Sequence, residues 1–445
     1  MSNLFTKHPL YLLVRCALPH CISGVFLSLC YIIDGIFVGK FLGSEDLAVM
    51  GLIMPFVIIS FALTDMIAIG SSVLISLSLG KGKSKEASIL FSTSLVVTFV
   101  FSCFIAMCAF FLAPFLIDLL TISESSKAKA KEFVSIFVYF TPLIMFYFAL
   151  DNYLRICAKN MYSMLINILM ALCNIFLDYL FIVVFGWGLF SSALALCIGL
   201  ALATIFGFLP FIFGNVELKF SRILFKLKTF LNIFYNGSSE FLGNISGSIL
   251  TIVANFLLLK LAGESGVATF SIILYIDTFI IAFIMSLCEG MQPALSYNYA
   301  RRDKARLNSL MLSILSTAFL LCLGIFIAIM LWSESLITLF VEKTNQDFII
   351  FSAFALSLYA LNYCITWFNV CVSSFLTAFN KPSYSLLITL VQGCFAPLCS
   401  LFVLTYLFGL NGIWCAAFVG DLLCVALSFV LLKRAFNIGQ SIHFA

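Results

Sequence analysis

Residues 88–120 read SILFSTSLVVTFVFSCFIAMCAFFLAPFLIDLL, and Asp118 is the only charged side chain in the run. A bilayer is crossed by about 20 apolar residues wound into a helix. A barrel strand would alternate apolar and polar residues at period two, and this run does not. Backbone polar groups in hydrocarbon must bond internally, so the stretch predicts a transmembrane helix. The rest of the chain repeats the pattern. Of 445 residues, 63% are apolar and 10% charged, against roughly a quarter charged in soluble domains. That composition excludes a soluble globular protein. Breaking the sequence at charged and turn-rich stretches predicts spans at 11–38, 47–79, 88–120, 133–154, 161–185 and 189–213, then at 231–259, 266–299, 308–341, 348–376, 383–408 and 412–432. Twelve spans need roughly 240 apolar residues and the composition supplies about 280, which leaves room for short loops only. Runs longer than a single crossing predict tilted helices or helices reaching past the lipid.

The two sets of spans look alike. Lys40, Gly43, Ala48 and Gly70 fall on Lys260, Gly263, Ala268 and Gly290 at a shift of 220. Further along, Tyr162-Ser163 falls on Tyr384-Ser385, and Phe185-Gly186 with Gly188-Leu189 falls on Phe408-Gly409 with Gly412-Ile413. Each half has an even number of spans, so both enter from the same side and the repeats are parallel. The expectation is an all-α membrane protein: twelve transmembrane helices in two parallel-repeat six-helix lobes, 1–213 and 231–445, joined by a linker at 214–230, around a central cavity. Lys and Arg set the orientation. With both termini in the cytoplasm, eighteen of the 24 lie inside, and Lys40, Lys127, Lys129, Lys131, Lys260 and Lys343 lie outside. The net charge of +4 is therefore a topology signal rather than a sign of nucleic-acid or other anionic partners. Residues 1–11 show no small-residue cleavage site, so the first helix is expected to act as the insertion signal. The sixteen cysteines have no metal-ligand spacing and read as small hydrophobes.

With the loops assigned, Asp34, Asp65, Asp151, Asp178, Glu240, Asp277, Glu289 and Asp421 remain at membrane depth, with no Lys or Arg deep in a span and Arg15 and Arg155 close to the inner ends. A carboxylate near the bilayer centre costs several kcal/mol unless it neutralises, pairs or faces water. Eight acids without bases require protons, sodium or cationic substrates. Asn174 and Asp178, spaced i, i+4, share a helix face and join Asp34 in the sharpest group. Two carboxylates and an amide oxygen suit a small alkali cation such as Na+. The same carboxylates could instead share protons, because burial and like charge favour the neutral form. Both acids fall in the outer halves of their helices. Glu240 and Glu289 sit beside small residues where a cavity can open, Gln292 follows on the same helix, and Asp65 and Asp277 could line the inter-lobe space. Asp421 reads as structural and Asp151 as interfacial. Most of the 51 Phe are expected to pack helices or face lipid. Pro19, Pro55, Pro142, Pro293 and Pro397 free carbonyls inside spans and permit kinks.

The motif Tyr31-x-x-Asp34-x-x-Phe37-Val38-Gly39 is followed by Leu42-Gly43 and Leu47-Ala48, by Asn152 and Leu154 leading to Arg155, and by Asn174-x-x-Leu177-Asp178-x-x-Phe181. Together these resemble the multidrug and toxic compound extrusion family over essentially the whole chain. Glu289-Gly290 and Gln292-Pro293-x-x-Ser296-Tyr297-Asn298-Tyr299 look like its bacterial branch of staphylococcal-type multidrug exporters. The resemblance implies an antiporter that expels organic cations or lipophilic drugs against protons or sodium by alternating access, with Asp34, Asn174 and Asp178 as the coupling site. It implies a bacterial inner-membrane location, no cofactor beyond the coupling ion, lipid as the surroundings and a monomer. One departure favours protons: the family's small-residue run on the sixth span ends in Thr, whereas Ser191-Ser192-Ala193-Leu194-Ala195 is followed here by Leu196. Another lies on the seventh span, where the glutamate of some branches is replaced by Ser248, so its role does not pass to Glu240. The nearest rival is a flippase of lipid-linked saccharide, whose pyrophosphate cargo would want buried bases. An intramembrane enzyme lacks support, since there is no His-Glu-x-x-His and no Gly-x-Ser-x-Gly, and His8, His20 and His443 lie near the termini.

Overall fold

The computed structural model describes residues 7–118, 123–214, 216–224, 226–338 and 346–438, and among these the apolar runs are helical and no strand occurs. Lys343, His443, and the Leu47, Ala48 and Pro55 side chains lie outside what it describes. In chain order the segments are α1 (Pro9–Leu42), α2 (Ser44–Gly80), α3 (Ser84–Asp118), α4 (Glu124–Ile156), α5 (Asn160–Val184) and α6 (Phe190–Ile212). They continue as α7 (Leu227–Gly263), α8 (Ser265–Ala300), α9 (Lys304–Ile337), α10 (Gln346–Ala360 with Tyr363–Ala378), α11 (Pro382–Phe408) and α12 (Leu410–Ile438). Among the described residues 11 helices are long and apolar enough to cross a membrane, and α10, bent by 44°, makes the twelfth when its two parts count as one span.

Polar caps mark where the chain leaves the apolar runs. Ser123 Oγ accepts from the Ser126 N–H at 3.1 Å at the start of α4, and Asp303 Oδ1 accepts from the Arg306 N–H at 3.0 Å at the start of α9. The turns carry the duplication in their backbone. Left-handed φ occurs at Gly43 and Gly263, at Gly82 and Arg302, at Ala158 and Asn380, and at Gly186 and Gly409. Each pair is separated by the repeat shift of 220 to 223. At Arg302, Ala158 and Asn380 the conformation persists without glycine, and of the three Asn is the one that adopts positive φ readily. Side chains repeat as well. Asp151 of α4 accepts from Ser163 and, at 3.1 Å, from Asn167 of α5. In the second half Ser373 bonds Ser385 at 2.9 Å and Thr389 at 3.1 Å.

Two compact units result: one runs to Gly237 and includes Ser296–Arg302, the other comprises Ser238–Leu295 and the chain from Asp303. In the first, Ile67, Val97, Ile105, Met145 and Ile233 form a buried cluster. In the second, Ile273, Ile284, Cys322, Leu356, Tyr363 and Trp414 belong to another. Within the first unit, α2 crosses the start of α7 at two glycines. A Cβ on Gly70 would strike the Ile233 carbonyl, and one on Gly237 would strike the Met66 carbonyl. Gly70→Val or Gly237→Val should therefore lose about 1–3 kcal/mol or more through overpacking. Monodisperse protein recovered after heating should fall for both, whereas Gly35→Ala, with nothing within 4 Å of its Cβ, should match the parent.

Between α6 and α7 the linker lies along α3. Lys219 N–H donates to Ser88 Oγ (3.3 Å), Ser221 N–H to Ser92 Oγ (2.8 Å) and Leu224 N–H to Thr93 Oγ1 (3.2 Å), while Leu218 is fully buried.

Candidate cation-coupling site

The amphipathic pattern of α1 and α5 turns Asp34, Asn174 and Asp178 inward together, where α1 packs on α5 and α5 on α6. All three are buried, with 4%, 1% and 0% of their surface exposed. Close helix approach is permitted at Gly199 of α6, where an added Cβ would lie 3.1 Å from the Met170 carbonyl and 3.7 Å from Asn174 Cβ. Both acids stand at the edge of irregular helix: α1 continues as a π turn at Val38–Leu42 and α5 as one at Tyr179–Val184. Such bulges are frequent at functional sites.

Two neighbours escaped the sequence reading. Ser192 of α6 donates its hydroxyl to Asp34 Oδ1 at 2.6 Å, and Cys30, one turn before Asp34, donates its thiol to Asn174 Oδ1 at 2.6 Å. Neither Asp178 oxygen nor the Asn174 amide nitrogen is in a well-formed hydrogen bond, although the Asn174 amide, one turn away, stands within reach of the Asp178 carboxyl. The Asp34 and Asp178 carboxyls are close enough for their charges to interact, and Cys30 lies within reach of both. A carboxylate in this position, charged and poorly bonded beside another, is far too costly to persist. It can be neutralised by a proton or matched by a small cation. The oxygens present are those of two carboxyls, one amide and one hydroxyl, a hard-donor set compatible with either.

A model of the MatE family matches residues 19–180 and again 241–400, one match in each half. The chain belongs to the MatE family. These are membrane transporters, not enzymes. Similar curated proteins include multidrug export protein MepA of Staphylococcus saprophyticus, 22% identical over 92% of this chain and 90% of that protein. MepA of Staphylococcus haemolyticus is 23% identical over 93% of this chain and 91% of its own. Among solved structures, a MATE in complex with MaL6 superposes with a TM-score of 0.94 at 21% identity, covering 99% of both chains. An outward-facing multidrug resistance MATE family transporter gives 0.93 at 21% identity over 99% of this chain and 98% of that one. The shared fold is the twelve-helix MATE fold.

In this MatE chain the second half does not repeat the acid site. At the repeat shift Asp34, Asn174, Asp178 and Ser192 correspond to Ala254, Ala396, Ser400 and Ala416, all buried. The remaining sequence candidates separate into groups. Asp65 sits half-buried on α2 in the first unit, within electrostatic reach of Tyr31, as is Asp34. Glu240 of α7 and Glu289 of α8 face each other closely enough to interact, and buried Gln292 follows Glu289 by three residues. Asp277 lies twelve residues earlier on α8, about 18 Å along the axis. It accepts from the Tyr363 hydroxyl at 3.1 Å and bonds Tyr359. Asp421 is buried beneath amides: Asn369 Nδ2 donates to its carbonyl at 2.9 Å and to Oδ1 at 3.4 Å, and the Asn362 amide, turned to donate, reaches Oδ2 at 2.9 Å.

One expectation is corrected. Arg155 does lie at the end of α4, but it is only 4% exposed rather than solvated, and its Nη2 pairs with Asp151 Oδ2 at 3.3 Å, so the buried acids are not without a base. The same guanidinium donates to Asn152 Oδ1 at 2.9 Å and meets His20 Nε2 at 3.0 Å. Asp151 is thus an ion-paired member of a buried network, and it leaves the set needing mobile cations. The spacing Asp151-x-x-x-Arg155 is the signal that places both on one helix face. Among the described residues no His, Cys, Asp and Glu cluster suited to a bound metal ion occurs.

Proposed function

We propose that this chain is a secondary multidrug exporter that expels organic cations or lipophilic drugs in exchange for inward-moving protons, with Asp34 and Asp178 carrying the coupling charge. The observation that carries the reading is Asp178: fully buried, with neither oxygen in a well-formed hydrogen bond, and within reach of a second carboxyl. The names of the staphylococcal relatives support drugs as cargo. The second half has Ala254 and Ser400 where the first has Asp34 and Asp178, which supports a single coupling centre of this kind rather than two equivalent ones.

Sodium is the second reading. Its shell would draw on Asn174 Oδ1 and Ser192 Oγ, which keep lone pairs beside their bonds to Cys30 and Asp34, but Leu196 contributes hydrocarbon where a further oxygen would complete it. Protonation needs no such shell. It removes the charge of Asp178 and the repulsion across the pair. Occupancy by a proton and retention of a cationic drug then compete for the same negative charge, and alternation of access between the two membrane faces converts that competition into exchange. One elementary charge crossing the membrane is worth about 2.3 kcal/mol per 100 mV, and about 1.4 kcal/mol supports a tenfold gradient. With both termini in the cytoplasm of a bacterial inner membrane, the two acids lie in the outer half, where an entering proton meets them first.

The test is ethidium efflux from proteoliposomes under separately imposed proton and sodium gradients. An inward proton gradient is expected to drive efflux and a sodium gradient at matched pH is not. Efflux driven by sodium alone would replace the proton, and efflux requiring ATP would end the secondary-transport reading. Ser192→Ala, which removes the hydroxyl from Asp34, should weaken coupling without abolishing it, read as a fewfold lower initial rate at the same gradient.

A further inference from the structure

Between α3 and the start of α7 the first unit contains a cavity, unrelated to the acids. It has a volume of about 460 Å3 and is walled by Val100, Phe101 and Phe104 of α3 and by Leu227 and Phe230 of α7, with Lys226 as its one charged lining residue. That volume falls in the range of about 300–1,000 Å3 typical of small-molecule sites. Three backbone N–H groups fasten the linker to Ser88, Ser92 and Thr93, so its side chains are held in place along α3. From this strap Lys219, Arg222, Lys226 and Lys228 are exposed, interleaved with exposed Phe220, Ile223, Leu224 and Leu227. Among the described residues no carboxylate lies within ion-pair distance of these four cations. Further along α3, Phe99, Val100, Phe104 and Met107 form an exposed apolar band of the kind that faces lipid.

We infer that this cavity and the linker cations hold one anionic glycerophospholipid, its phosphate on Arg222, Lys226 and Lys228 and one acyl chain between α3 and α7. The arrangement places unpaired positive charge at the end of a lipid-facing band, where a phosphate stands, with an apolar hollow beside it, where a tail stands. A basic interfacial cluster attracts anionic headgroups at about 1 kcal/mol per cation. A zwitterionic lipid offers the same tail without that gain. The inference is independent of the coupling site.

The four native tryptophans, Trp187, Trp332, Trp367 and Trp414, lie outside the cavity lining, so Phe230→Trp makes a local reporter once the parent signal is subtracted. Purified protein in mixed micelles is titrated with dibrominated phosphatidylglycerol or dibrominated phosphatidylcholine of the same chains. Half-quenching of the new tryptophan is expected at about a hundredfold lower mole fraction of phosphatidylglycerol at low ionic strength. Adding Arg222→Gln, Lys226→Gln and Lys228→Gln should bring the two lipids within twofold. Equal quenching by both lipids, or a preference that survives the triple change, overturns the inference. Displacement of the lipid by soluble glycerol 3-phosphate overturns it too, since the cations would then serve a free phosphoester. Should Phe230→Trp fail to fold, native mass spectrometry decides: the parent should retain one more phosphatidylglycerol than the triple variant, and equal numbers refute the site.

Discussion

Asp178→Asn is expected to reduce gradient-driven efflux to the background leak, a loss of tenfold or more, while leaving the protein as heat-stable as the parent to within a few degrees. The two halves of that expectation come from one fact. A side chain with no exposed surface and no well-formed hydrogen bond to another helix contributes little to holding helices together. The amide is nearly the same size as the carboxyl, so packing is kept. What it cannot do is take up and release a proton. Asp34→Asn should lose coupling equally but fold less well, because Ser192 would have to re-form its bond to an amide oxygen. Efflux from proteoliposomes and thermal-melt size-exclusion chromatography measure the two effects separately. Full efflux by both variants would remove the proposed site.

The other large effect belongs to Arg155. Arg155→Leu leaves Asp151 charged and buried without its guanidinium and takes donors from Asn152 and His20. Breaking a buried pair at one partner costs about 3–5 kcal/mol, enough to remove most folded protein at ordinary expression temperatures. The duplication supplies the rescue. At a shift of 222 the second half carries Ser373 and Thr377, both in neutral hydrogen bonds with Ser385. Asp151→Ser/Arg155→Thr installs that neutral arrangement and should recover most of the folded yield lost by Arg155→Leu. A double variant no better than Arg155→Leu would show that the network is needed for more than charge balance.

Much of this was legible in the sequence. Twelve apolar runs and the shift near 220 sufficed for the helices and the repeat, because hydrocarbon forces backbone bonding to be local and each run therefore declares its own structure. Asp34, Asn174 and Asp178 could be grouped because i, i+4 spacing fixes a helix face and acids in lipid are conspicuous. What was hidden depended on how neighbouring helices approach. Ser192 looked like one of several small residues until α6 brought it to Asp34, and Cys30 looked like one of sixteen small hydrophobes until α1 met α5. Arg155 stands at the end of α4 as its sequence position implies, but its burial was hidden for a related reason: hydropathy says nothing of the neighbours that enclose a helix end, and the carboxylate partner lies one turn away.

The most direct test of the central claim is proton release on drug binding. Purified protein in weakly buffered detergent solution, with a pH indicator present, is mixed with excess ethidium at neutral pH. The parent is expected to release about one proton per bound drug and Asp178→Asn none, with ethidium bound more weakly by the variant but brought to saturation by the excess. Equal release by the variant and the parent, or drug binding to the parent with no change in proton count, would contradict the account.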